Sequence, residues 1–171
     1  MAMLLARIIS GGQTGVDRGA LDAALDARFP CGGWCPADRS AEDGAIPARY
    51  PLMKLPDSSY RERTLQNVLD SDGTVVIFRS VLSGGTRLTQ EFCGQHSKPH
   101  LVIDASLQGE SAAASEIASF IREHGVRVLN VAGPRASEWP QAHQFAYRAV
   151  LELLRNADLL ARLFDADEPS C

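Results

Sequence analysis

Three times in this chain an apolar run ends in a glycine-bearing turn and a helical pattern begins almost at once. The stretches are "RIISGGQTGVDRGALDAAL" from Arg7, "TVVIFRSVLSGGTRLTQEF" from Thr74, and "VRVLNVAGPRAS" from Val126. Strand, tight turn and helix in repeated succession point to right-handed crossovers, a mainly parallel sheet and helices on both faces. The expected fold class is therefore α/β, with a Rossmann-like sheet.

The rest of the chain fits that plan. Strands are expected at residues 6–10, 30–35, 52–55, 74–78, 100–104 and 126–133. The first helix carries Val16, Ala20, Leu21, Ala24 and Leu25 at helical spacing. Ser58 is placed to cap a second helix reaching Asp70, with Leu65, Val68 and Leu69 toward the core. Ser111 is expected to cap a helix that ends at Gly125. Ser137 is expected to open a long final helix to about Ala161, with Asp158 to Leu163 continuing it or forming a separate turn. "PADRSAEDGAIPARYP" between the second and third strands reads as loop.

With 171 residues, 45% of them hydrophobic and 22% charged, the chain suits one domain, residues 1–171. The formal net charge of -4 weighs against nucleic acid or an anionic membrane as a partner. The N-terminus lacks the pattern of a signal peptide, and no apolar run approaches the ~20 residues that span a bilayer. A cytoplasmic protein is expected. Its cysteines, Cys31, Cys35, Cys93 and Cys171, then read as reduced structural thiols. The scattered histidines and the cysteine spacing give no metal site.

In open α/β sheets, ligands sit beyond the carboxyl ends of the strands, where the strand order reverses. The three glycine turns lie at such ends. Glycine brings backbone N–H groups close to a ligand, and the first turn of a helix offers unpaired donors and a partial positive charge. An anionic or phosphorylated ligand is the expectation. The candidate binding residues are Gly11, Gly12, Gln13, Thr14 and Gly15; Ser83, Gly84, Gly85 and Thr86; and Gly133, Pro134 and Arg135. "SGGQTG" matches neither the dinucleotide pattern nor the P-loop. Trp34 and Tyr60 are rings that could stack on a planar ligand or simply fill space. Asp17 reads as a structural charge at a helix start. Asp38, Glu42 and Asp43 read as a solvated acidic loop. Arg63 and Glu91 are either solvated helix charges or groups facing the crevice.

"SGGQTGVDRGALDAAL", "YRERTLQNVLDSDGTVVI", "SGGTRLTQEF" and "NVAGPRAS" resemble the molybdenum carrier family, within a Rossmann-like superfamily that includes the LOG phosphoribohydrolases. The resemblance runs from about Arg7 to Leu154. It implies a homo-oligomeric carrier, a dimer or tetramer, of the molybdenum cofactor, a phosphorylated pterin. Such a carrier performs no chemistry and offers no protein ligand to the metal. The alternative is a LOG-like hydrolase that cleaves the N-glycosidic bond of nucleoside monophosphates. By that resemblance Arg63 and Glu91 would be catalytic. Ser83, Arg87 and Leu88 depart from that motif, and a nucleotide-sensing domain is a third reading.

Overall fold

In the computed structural model, residues 5–56 and 59–165 are described, the last nine of these by their backbone alone. The elements run β1 (Arg7–Ile9), α1 (Val16–Asp26), β2 (Cys31–Gly32), β3 (Trp34–Pro36), β4 (Ser40–Ala41), β5 (Gly44–Ala45), β6 (Met53–Leu55) and α2 (Tyr60–Leu69). They continue with β7 (Gly73–Phe78), α3 (Gly84–Gln95), β8 (His100–Asp104), α4 (Glu110–His124), β9 (Val128–Ala132) and α5 (Ala142–Asp165).

Five strands form a parallel sheet in the order β2-β1-β9-β7-β8. The connections from β1 to β2 and from β8 to β9 move across it in one direction, and that from β7 to β8 moves in the other. With right-handed crossovers, α1 and α4 lie on one face and α3 on the opposite face. The packing agrees: α5 lies against α1 and α4, and α2 against α3. The α/β, Rossmann-like expectation holds. The chain leaves β1 toward one edge and β7 toward the other, so the order reverses at β9, between them.

Burial explains the elements. Val75, Val76 and Ile77 in β7 are fully buried, as a central parallel strand covered on both faces requires. Ala20, Ala23 and Ala24 of α1 share a core with Ala142, Ala146, Ala149 and Val150 of α5. Their small side chains let the two helices approach closely. Phe145, Val150, Leu153 and Leu154 of α5 all lie in this core.

Several boundaries differ from expectation, each for a local reason. The cap of α2 is Ser59, which accepts from the Glu62 N–H while the Glu62 carboxylate accepts from the Ser59 N–H. Ser58 lies outside the described residues. Val68 is buried as expected and Leu65 packs partly buried beside it, but Leu69 is exposed, and α2 also buries Arg63, Thr64 and Asn67. The helix α4 starts after Gly109, with no side-chain cap, and Ser111 lies inside it with its hydroxyl donating to Glu152 of α5. The helix α5 starts at Ala142, beyond Pro140, and continues without a break to Asp165. Residues 30–35 divide between two sheets: β2 joins β1, while β3 pairs in parallel with β6. The expected loop contains the small β4–β5 hairpin.

Candidate functional site

Because β1, β9 and β7 are neighbours in the sheet, the three glycine turns come together at one edge. An open crevice of about 640 Å³ lies there, lined by Gln13, Pro36, Ala37, Asp38, Ser40, Ala41, Glu42, Tyr60 and Arg135. Its size falls within the usual range for small-molecule sites, ~300–1,000 Å³. A second cavity of only about 20 Å³ lies deeper and is lined in part by Gly11, Tyr60, Gly85 and Gly133. A third, of about 170 Å³, lies beside the first turn of α3 and includes Ser83, Thr86, Pro134 and Trp139.

The crevice floor is organised around Tyr60, the first residue of α2. The Arg63 guanidinium carbon lies 4.5 Å from the Tyr60 ring centre and that of Arg135 lies 5.9 Å from it. Both lie within or near the range of cation–π attraction. Arg135 is partly exposed and loosely paired with Glu138, at 3.6 Å. Among the described residues that line the crevice, it is the cation.

Arg63 is no solvated charge: its side chain is 5% exposed. It can lie so deep because Gly11 has no side chain; a Cβ there would sit 1.2 Å from Arg63 Nη1. Its Nη1 donates to Asp17 Oδ2 at 3.3 Å, and its Nε is buried with no hydrogen-bond partner among the described residues. Asp17 also accepts from the Gln13 N–H, at 3.2 Å. Burial pushes the Asp17 carboxyl above its usual range, against the pull of the Arg63 charge. Asp17 thus does more than suit a helix dipole. It is the carboxylate that faces Arg63.

Glu91 is not that carboxylate. It is exposed and pairs with Arg87, at 3.0 Å, on the same helix. The face of α3 turned inward carries Thr86 and Thr89, and a residue two positions beyond Thr89 points elsewhere.

The acidic loop also has a place that the sequence did not suggest. Glu42 accepts from the Thr14 hydroxyl and from the Ser137 N–H and hydroxyl. Gln13 Oε1 accepts from the N–H groups of Thr14 and Glu42. Together these bonds tie the turn after β1, the β4–β5 hairpin and the turn after β9. Desolvation raises the Glu42 pKa, but the bonds from Ser137 and Thr14 outweigh it and hold the carboxyl below its usual range. The Thr14 hydroxyl, expected to meet a ligand, is therefore already engaged. Asp43 pairs with Arg18.

The remaining expected residues divide. Gln13 and Arg135 line the crevice, while Gly11, Gly85 and Gly133 line the deep cavity. Ser83, Thr86 and Pro134 line the third. Gly12 and Gly15 instead pack against Leu52 and against the Pro134 backbone. Gly84 is exposed. Trp34 is away from the crevice, its indole N–H donating to Asp70 at 2.5 Å. Thr64, Asn67, Thr89 and Asn130 were not anticipated, yet they line the deep cavity. One signal was legible: Asn67 lies one turn beyond Arg63 on α2, and Thr89 one turn beyond Gly85 on α3.

Residues 8–154 match the model of the circularly permutated YpsA SLOG family. The chain belongs to that family. No curated protein matches it. Among solved structures it is similar to a "Putative molybdenum carrier protein" from Syntrophus aciditrophicus SB. The two share 44% identity over 90% of this chain and 98% of that one, with a TM-score of 0.87. The expected carrier-type resemblance stands, and membership of this SLOG family supports a ligand-binding role. Among the described residues, no group of three or more His, Cys, Asp or Glu is placed to hold a metal ion, and no helix is long and apolar enough to cross a membrane.

Proposed function

We propose that this protein binds and carries a phosphorylated planar cofactor, the molybdenum cofactor fitting best, in the open crevice above Tyr60 and Arg135. The observation that carries this reading is the crevice itself. It lies at the point where strand order reverses, has a partly exposed guanidinium for an anionic group and has an aromatic ring at its floor. The two carboxylates on its wall accept hydrogen bonds within the chain, Asp38 from the Ser40 N–H and Glu42 from Thr14 and Ser137, and these bonds hold both carboxyls below their usual range. The name of the Syntrophus protein supports the choice of cargo. In this reading the chain acts as a cytoplasmic homo-oligomer and the metal stays with the cofactor, held by no protein ligand.

The hydrolase alternative has less support. It needs Arg63 and Glu91 at one site, and Glu91 lines none of the three cavities. A nucleotide sensor would use the same crevice and differ only in its ligand.

The test is anaerobic incubation with free molybdenum cofactor, gel filtration, and measurement of molybdenum and pterin in the protein fraction. Wild type should retain both near stoichiometry, and Arg135→Glu should retain at least tenfold less. No retention by folded wild type would refute the carrier reading.

A further inference from the structure

We propose that the open edge of β8 is the face on which two copies of this chain pair, antiparallel and about a two-fold axis at Val102, so that their two sheets become one. This assigns an interface to the proposed homo-oligomer. It rests on the sheet and not on what the crevice binds.

Among the described residues β8 pairs only with β7, which leaves one of its sides without a partner strand. The Thr74 N–H donates to the Pro99 carbonyl at 3.0 Å and the Ala105 N–H to the Phe78 carbonyl at 2.8 Å. Residues alternate along a strand, so Leu101 and Ile103 also turn their backbone groups to β7, while His100, Val102 and Asp104 turn theirs outward. Natural edge strands are blunted by proline, lysine or another charge. This strand has each of these, in Pro99, Lys98 and Asp104, and each is turned away. Pro99 lacks its N–H on the side of β7, not on the open side. The Lys98 ammonium donates to the carbonyls of Leu69 and Ser71, at 2.9 and 2.8 Å. Asp104 Oδ1 accepts from the N–H groups of Ser80 and Ser106. The edge stays open to another strand.

The strand is complementary to itself. With Val102 on the two-fold axis, the two Val102 residues exchange a pair of hydrogen bonds. The Asp104 N–H of each copy then donates to the His100 carbonyl of the other. The Asp104 carbonyl is already taken by the Leu107 N–H, at 3.0 Å, and the pairing ends there. In this register each Asp104 carboxylate lies opposite the His100 ring of the partner subunit, whereas a shift that set Asp104 against Asp104 would oppose like charges. The surface beside the edge points the same way. Leu107 and Val81, at 83% and 72%, are the most exposed large apolar side chains among the described residues. Both flank the carboxyl end of β8. Leu107 lies in the turn that follows it, and Val81 follows Ser80, whose N–H donates to Asp104 Oδ1 at 2.9 Å. A second copy paired on the edge brings the start of its own β8 beside them.

The experiment is sedimentation velocity on the full chain over a series of protein concentrations, for wild type, Val102→Pro and Leu107→Asp, with circular dichroism to confirm folding. Proline at 102 removes an outward N–H and leaves the ladder with β7 intact, as proline on an open edge does. Wild type should associate. Val102→Pro should weaken that association at least tenfold or halve the size of the assembly. Leu107→Asp, a change on an exposed side chain, should weaken it severalfold and carries the test if Val102→Pro does not fold. Wild type that stays monomeric overturns the interface and the homo-oligomer together. Association that persists unchanged in folded Val102→Pro, or in Leu107→Asp where the proline variant does not fold, overturns the edge pairing alone, because the copies then meet elsewhere. Cofactor retention separately decides the crevice reading.

Discussion

The connections after β1 and β7 both contain Ser-Gly-Gly, residues 10–12 directly after β1 and residues 83–85 at the start of α3, and the structure uses them differently. Ser10 is fully buried and its hydroxyl donates to the Val131 carbonyl at 2.6 Å. The space beside Gly11 belongs to Arg63, and that beside Gly12 to Leu52 and Ile46. Ser83, in contrast, is exposed and makes no capping bond, and a Cβ on Gly84 would find only Glu138, at 3.8 Å. In the first turn the glycines serve the chain's own side chains. In the second, Gly84 leaves its space open, while the space beside Gly85 belongs to Tyr60. A glycine motif shows that something must come close, and only the fold shows whether that something is a ligand or the protein.

The largest expected effect tests what fills the first turn. Arg63→Ala leaves Asp17 buried without its counter-charge and should cost about 3–5 kcal/mol in chemical denaturation. A loss below about 1 kcal/mol would mean that Arg63 does not hold this turn. Gly12→Ala should follow at about 3 kcal/mol, since it combines a φ of 81° with a clash at Leu52. Gly84→Ala, at a φ of 53° with open space around it, should cost only the backbone term of about 1–2 kcal/mol. Equal losses at Gly12 and Gly84 would break the comparison. At the small end, Glu91→Gln on the exposed α3 pair should change stability by no more than about 0.5 kcal/mol.

Asp17 adds a dependence on pH. Its folded pKa is raised above the ordinary 3.8 by burial, so the folded state binds this proton more tightly than the unfolded chain does. Its contribution is greatest below pH 3.8 and is lost as pH rises from there through the raised value. Asp17→Asn removes that loss. The stability of the variant relative to wild type should therefore improve as pH rises across this window, as measured by urea denaturation at a series of pH values. A difference independent of pH would contradict a raised Asp17 pKa.

The fold was largely legible in the sequence because burial repeats locally. "TVVIF" and "HLVID" read as strands and lie in β7 and β8. Helix starts were less legible, since a serine can cap a helix or spend its hydroxyl elsewhere, as Ser111 does on Glu152 and Ser137 on Glu42. The site was legible as an edge of the sheet but not as a set of contacts. Arg63 reads as a surface charge until Asp17, 46 residues away, and Gly11 are seen around it. Glu42 reads as solvated because Ser137, which holds it, is 95 residues away. Such pairings follow from strand order, which no local pattern encodes.

In the proposed function the ligand occupies the crevice at Tyr60 and Arg135, not the open turn after β7. Labelling with phenylglyoxal, which attacks guanidinium groups, tests it directly when free protein is compared with protein loaded with molybdenum cofactor and modified peptides are read by mass spectrometry. Loading should protect Arg135 and leave Arg79 and Arg87 reactive. Protection of Arg79 or Arg87 with Arg135 still open would place the ligand at the β7 turn and contradict it.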